Sequence, residues 1–146
     1  MADGDFTAIV RLLTTYVRGV DTKDWDRYES VFAADAVIDY TASGGIRGSR
    51  REAREWVAEA MARFPLSQHY MTNHDVVVDG DLATCHSDFF GPVGRPGADG
   101  AMSILFVGGR YRDRLRRTGD GWVITERVEE MTWWAGDWPE EVALEH

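Results

Sequence analysis

A chain of 146 residues, 44% hydrophobic and 12% aromatic, can bury one sizeable core and is expected to form a single domain over residues 1–143. Its formal net charge of -9 argues against nucleic acid and anionic membrane surfaces as partners. A lone cysteine, Cys85, excludes an intrachain disulfide and a cysteine metal cluster. No basic-then-apolar leader precedes residue 5, and no apolar run approaches the roughly 20 residues that span a bilayer, so a cytoplasmic protein is expected. Leu144-Glu145-His146 reads as a purification-tag remnant.

The first predicted element is a helix over residues 5–20. Phe6, Ile9, Leu13, Tyr16, Val17 and Val20 fall on one stripe, with Asp5 as N-cap. Asp21 falls at its C-terminal end, where the helix dipole disfavours an acid. A second helix is predicted over residues 22–34, burying Trp25, Tyr28, Val31 and Phe32. Ala36-Val37-Ile38-Asp39-Tyr40 reads as a short strand, Ser43-Gly44-Gly45 as a turn, and Ile46-Arg47-Gly48 as a returning partner. Ser49 and Glu52 form a capping box for a third helix that Pro65 stops.

From Ser67 onward the apolar pattern switches to period two. Residues 67–78 read as a strand entering a hairpin at Asp79-Gly80-Asp81. On that strand His69, Met71 and Asn73 share one face, and Tyr70, Thr72 and His74 the other. Residues 82–90 return, 91–101 read as a loop, 102–117 as a long strand with a bulge at Gly108-Gly109, and 122–134 as the last strand. Three N-terminal helices followed by hairpin-linked strands predict an α+β fold: a cone-shaped barrel, with the helices packed on a strongly bent antiparallel sheet.

That plan resembles the nuclear transport factor 2-like superfamily, and within it the SnoaL-like and scytalone dehydratase-like branch. The resemblance is carried by Gly19-Val20-Asp21-Thr22-Lys23-Asp24-Trp25, by Phe32 through Tyr40, by Gln68-His69-Tyr70-Met71-Thr72-Asn73 and by Gly121-Trp122-Val123-Ile124. The Gly-Val-Asp and His-Tyr-x-Thr-Asn pieces are equally similar to hexachlorocyclohexane dehydrochlorinase. The resemblance implies a histidine base, His69, oriented by Asp21. It further implies Tyr40 and His86 at the site, Arg127 in the pocket, and Tyr16 where ketosteroid isomerase places its oxyanion tyrosine. Val20 stands where scytalone dehydratase has a tyrosine, and Gly109 and Tyr111 where it has a serine and an asparagine. This implies a different water-positioning and hydrogen-bonding apparatus, and a substrate other than scytalone itself.

A neutral imidazole takes a proton only when its ring is held in the right tautomer, which a carboxylate on the other nitrogen achieves. His69, Asp21, Tyr40 and His86 are therefore the catalytic candidates, and Tyr16, Tyr111, Arg127, Trp25, Met71 and Asn73 the substrate-binding ones. Histidines at 69, 74 and 86 make no tight pair and no phosphate loop occurs, so no metal and no cofactor are expected. The expected activity is a cofactor-independent lyase of dehydratase type acting on a small, cyclic, largely apolar substrate. An isomerase or polyketide cyclase would use the same proton chemistry, and a non-catalytic ligand-binding or oligomerising module is the alternative of another class. A homo-oligomer, dimer or trimer, is expected from the exposed back of such a sheet.

Overall fold

A computed structural model describes residues 3–136, and the tail beyond, with the tag-like Leu144-Glu145-His146, lies outside the described residues. The apolar stripe of the first helix sets the packing. Helix α1 (Asp3–Thr22) buries Ile9, Leu13, Tyr16, Val17 and Val20 against the sheet. Complete burial of a side chain such as Ile9 or Leu13 is worth roughly 1.5–3 kcal/mol. Asp5 lies inside the helix rather than capping it. Its carboxylate accepts from Arg117 Nη1 at 2.7 Å and Trp122 Nε1 at 3.2 Å, tying the start of α1 to the sheet.

Helix α2 (Trp25–Ser30) is capped by Asp24, which accepts from the Arg27 N–H, and it is shorter than the apolar periodicity predicts. Strand β1 (Phe32–Asp39) takes over the segment. The Val31 carbonyl accepts from Ile124 N–H at 2.9 Å, and Phe32 lies in register with Ile124. Sheet pairing outcompetes a helix here, and β-branched and aromatic residues suit a pleated surface better. β1 pairs with β2 (Arg47–Ser49) on one side. Helix α3 (Arg50–Met61) opens on the predicted capping box: Glu52 N–H donates to Ser49 Oγ at 3.2 Å, and Ser49 N–H to Glu52 Oε2 at 2.8 Å.

The remaining strands are β3 (Leu66–Ser67), β4 (Tyr70–Asp79), β5 (Leu82–Pro96), β6 (Met102–Thr118) and β7 (Gly121–Gly136). The strand order is β2-β1-β7-β6-β5-β3, with β4 also on β5. The sheet is strongly bent and does not close into a barrel, and it is mixed rather than wholly antiparallel, because β1 runs parallel to β7. No hairpin links those two strands, so turn geometry does not dictate their direction. β3 and β4 occupy consecutive stretches of the same edge of β5, separated by Gln68 and His69. The glycine- and proline-rich stretch read as a loop is instead the end of a long hairpin. β5 and β6 stay in register from Leu82↔Arg116 to Pro96↔Met102. Gly108 is not a bulge either. The Trp133 indole lies flat across it, so a Cβ there would meet Trp133 Cζ2 at 2.3 Å, and the sheet irregularity falls between Arg110 and Tyr111. No helix among the described residues is long and apolar enough to cross a membrane.

Among the described residues, one ion pair is fully buried in the core. Arg127 on β7 donates to Asp113 on β6 through Nε at 2.7 Å and Nη2 at 2.8 Å, and both side chains are 0% exposed. The guanidinium is layered between the rings of Tyr16, 4.2 Å away, and Tyr111, 4.3 Å away. Cation–π contact and the carboxylate together offset the cost of burying the charge. Removing one partner leaves the other charged and dry. Asp113→Ala is therefore expected to destabilise the fold by roughly 3–5 kcal/mol, read from urea unfolding.

Candidate active site

Between α1, α3 and the concave face of the sheet lies a cavity of about 330 Å³, lined mostly by apolar and aromatic side chains. His69, Tyr16, Tyr40, Tyr111 and Glu129 supply polar atoms to its wall. A second hollow of about 200 Å³ lies on the other side of His69 and is lined by Asp21, Met71 and His74 among others.

Asp21 is fixed by the way α1 ends. Asp24 N–H donates to Gly19 O at 2.9 Å and Lys23 N–H to Val20 O at 3.1 Å, while Lys23 sits in the left-handed region at φ 55. This is the Schellman pattern with lysine in the place glycine usually takes. Lys23 Nζ then donates to Phe64 O at 2.9 Å, drawing the chain that leads into β3 over the helix end. Asp21 thereby meets residues 67–69. His69 Nδ1 lies 2.6 Å from Asp21 Oδ1, His69 N–H donates to Oδ2 at 2.8 Å, and Ser67 Oγ donates to Oδ1 at 2.8 Å.

Burial alone would raise the Asp21 carboxyl. The His69 ring, the His69 N–H and the Ser67 hydroxyl outweigh it, and the carboxyl is held below its ordinary value. An ionised carboxylate only accepts, so Nδ1 carries a proton, and in the neutral ring Nε2 is the nitrogen with the free lone pair. The ring needs space on the sheet. A Cβ on Gly91 would lie 2.3 Å from His69 Cδ2 and 2.7 Å from Nε2, so only glycine lets the imidazole rest against β5.

Beside the histidine is a cluster of phenols. Tyr40 Oη lies 3.0 Å from Tyr28 Oη and 3.2 Å from Tyr16 Oη, and Tyr16 Oη lies 3.5 Å from Tyr111 Oη. Burial pushes Tyr28, Tyr40 and Tyr111 upward, so each stays a neutral hydroxyl.

The structure thus brings His69, Asp21, Tyr16, Tyr40 and Tyr111 together, with Met71 in the adjoining hollow. It places four candidates elsewhere. His86 is exposed on the outer face of β5, because alternation turns Ala83, Cys85, Ser87 and Phe89 inward. Asn73 sits at a bulge with φ 54, exposed, and its amide donates to Asp88 Oδ2 at 2.7 Å. The same bulge carries His74 inward, against the expectation for its face, so that its Nδ1 lies 2.8 Å from Ser87 Oγ. Trp25 packs edge-on against Tyr28 at 6.0 Å and lines neither hollow. Arg127 is sealed behind Tyr16 and Tyr111 and is absent from both walls. Ser67, Gly91, Glu129 and Thr132 are parts of the site that sequence reading missed. Ser67 was within reach of it, since it stands two residues before His69. Among the described residues no three His, Cys, Asp or Glu side chains converge as metal ligands.

A model of the SnoaL-like domain matches residues 4–128. The chain belongs to the SnoaL-like family. An uncharacterised protein of Mycobacterium tuberculosis is 38% identical over 125 residues, which are 86% of this SnoaL-like chain and 84% of that protein. Among solved structures, a candidate aromatic ring hydroxylase of Novosphingobium aromaticivorans is 31% identical with a TM-score of 0.78, covering 94% of this chain and 96% of the other. A candidate scytalone dehydratase of the same organism has a TM-score of 0.74 at 18% identity, covering 92% and 88% of the two chains. A type 2 hexachlorocyclohexane dehydrochlorinase has a TM-score of 0.76 at 19% identity, covering 92% and 90%. The last two share the fold. The SnoaL-like match ends at Val128, so Glu129 and Thr132 enter the cavity from just beyond it.

Two outcomes follow from this geometry. Gly91→Ala is expected to force the His69 ring off the Asp21 carboxylate, which ring ¹⁵N chemical shifts would report as loss of the single Nδ1-protonated form. Because the folded value of Asp21 is depressed, its stabilisation is complete above the unfolded value of 3.8 and is lost as pH falls through the lower folded value. The gap in thermal midpoint between wild type and Asp21→Asn is expected to hold constant near neutrality and to close only in that acid range.

Proposed function

We propose that the larger cavity is the active site of a cofactor-independent lyase of dehydratase type. Its substrate is a small, cyclic, mostly apolar molecule with an acidified C–H. The observation that carries this reading is the 2.6 Å contact between His69 Nδ1 and Asp21 Oδ1 at the wall of an open, apolar cavity. Nε2 of His69 takes the proton, and Asp21 stabilises the imidazolium that forms. Such a base is worth about 10²–10⁴ in rate. Tyr16, Tyr40 and Tyr111 place hydroxyls on the same wall, and burial keeps those of Tyr40 and Tyr111 neutral. An apolar wall favours a ring system over a charged metabolite.

The fold shared with a candidate scytalone dehydratase and a dehydrochlorinase supports elimination as the reaction class. A passive scaffold would fill the cone with side chains, whereas this cavity stays open. On the outer sheet face Phe90 stacks with Phe106 at 5.9 Å and with Trp133 at 6.1 Å, each partly exposed, which supports a homo-oligomer.

The test is elimination of water from a panel of bicyclic β-hydroxyketones, followed by the absorbance of the enone formed. His69→Ala is expected to lower turnover about 10²–10⁴-fold while the thermal midpoint stays close to wild type. Undiminished turnover in that variant would remove His69 as the base and the reading with it.

A further inference from the structure

Glu129 lies on β7 directly across from Tyr111 on β6. Its side chain is 7% exposed and lines the larger cavity. Among the described residues Oε1 finds no hydrogen-bond partner, and neither does Oγ1 of Thr132, which lines the same cavity. A β-strand repeats its facing every second residue, so positions 129 and 132 would fall on opposite faces of a regular strand. Here both reach one hollow, where the Thr132 hydroxyl lies close enough to act on the Glu129 carboxyl and Oε1 of that carboxyl is left unpaired. Buried polar atoms in native structures are nearly always paired, and the exceptions are places to look for a ligand. The tyrosine hydroxyls of the same wall already engage one another, whereas Glu129 Oε1 has no partner there.

We propose that Glu129 and Thr132 form the subsite that holds the substrate's oxygen, with the Glu129 carboxyl donating a hydrogen bond to a ketone oxygen. Burial raises the Glu129 carboxyl, with the Ser43 and Thr132 hydroxyls and Arg127 drawing it back and Asp39 adding to the rise. Arg127 spends most of its charge on Asp113. A carboxyl raised in this way can serve as a donor in its protonated form.

This rests on the reading of His69 as the base, and it narrows the substrate to a cyclic ketone bearing a hydroxyl β to the carbonyl. His69 takes the proton from the carbon between those two groups. The C–H electron pair becomes an enolate, whose oxygen Glu129 and Thr132 stabilise. As the enolate collapses, the pair forms the new C=C bond and the β C–O bond breaks. The departing oxygen leaves as water with the proton held by His69. The products are an enone and water, and both residues end as they began.

The experiment compares binding of 1-tetralone with that of tetralin, its hydrocarbon counterpart, by isothermal titration calorimetry. Wild type is expected to prefer the ketone by about tenfold, since a site built to pair an oxygen discriminates against the analogue lacking it. Glu129→Leu is expected to bring the ratio to about one, and Glu129→Gln, which keeps an N–H donor, to preserve it. Thr132→Val is expected to lower it about threefold, which keeps the test alive if the leucine variant does not fold. His69→Ala is expected to leave the ratio unchanged, so failure of the base and failure of the subsite give separate signals. A ratio that persists in Glu129→Leu, a ratio lost equally in Glu129→Gln, or a wild type that binds no ketone would each overturn the proposal.

Discussion

One carboxylate joins the two halves of the molecule. Asp21 stands at the last turn of α1, where the helix dipole opposes it, and it receives the ring, the backbone N–H and the neighbouring hydroxyl of residues 67–69. Those residues span the break between β3 and β4, where the edge of β5 is briefly left to the connecting chain. The acid therefore does two jobs. It secures the segment that leaves the ladder after Gln68, whose N–H still donates to Pro92 O on β5 at 3.1 Å, and it selects the ring tautomer. Holding both the side chain and the main chain of one residue leaves the imidazole little freedom to turn away, which is the pre-organisation a proton transfer needs.

Behind that pair the interior is built in layers. The Arg127–Asp113 pair lies deepest, the rings of Tyr16 and Tyr111 cover it, and their hydroxyls reach the cavity with that of Tyr40. A buried cation beneath phenol rings polarises the wall without exposing a formal charge to an apolar ligand. This explains why an arginine expected in the pocket sits one layer back from it. The residue identity was readable, but its partner Asp113 is fourteen positions away on another strand, and only sheet register brings them together.

What could be read from the chain alone was whatever is decided locally. The Ser49–Glu52 box, the Asp-Gly-Asp hairpin and the stripe of α1 each depend on neighbours within a few positions. The pairing of His69 with Asp21 was reached through resemblance, since nothing nearby in sequence announces it. The errors have one physical source, which is tertiary pairing overriding local pattern. Phe32 and its neighbours look helical until β7 captures them. Strict alternation puts Asn73 inward and His74 outward, but the bulge at Asn73 exchanges them. His86 fails for the reverse reason, because β5 keeps perfect alternation around it and turns it to solvent. Glu129 and Thr132 were invisible, since their inward facing depends on irregularities along β7 that composition does not reveal.

The parallel contact between β1 and β7 bears on how the molecule comes into being. Phe32 and Ile124 meet only after the segment between them, residues 33–123, is available. During synthesis the helices and the β4–β5 hairpin can form early, but the floor beneath them arrives only with β7. That strand carries both the guanidinium of the core and the far wall of the hollow. Ring closure over so long a separation is entropically slow. Until β7 is made, the rings of Tyr16, Phe32 and Tyr111 lack the guanidinium they pack on, and the burden of keeping them from premature association falls on the cell.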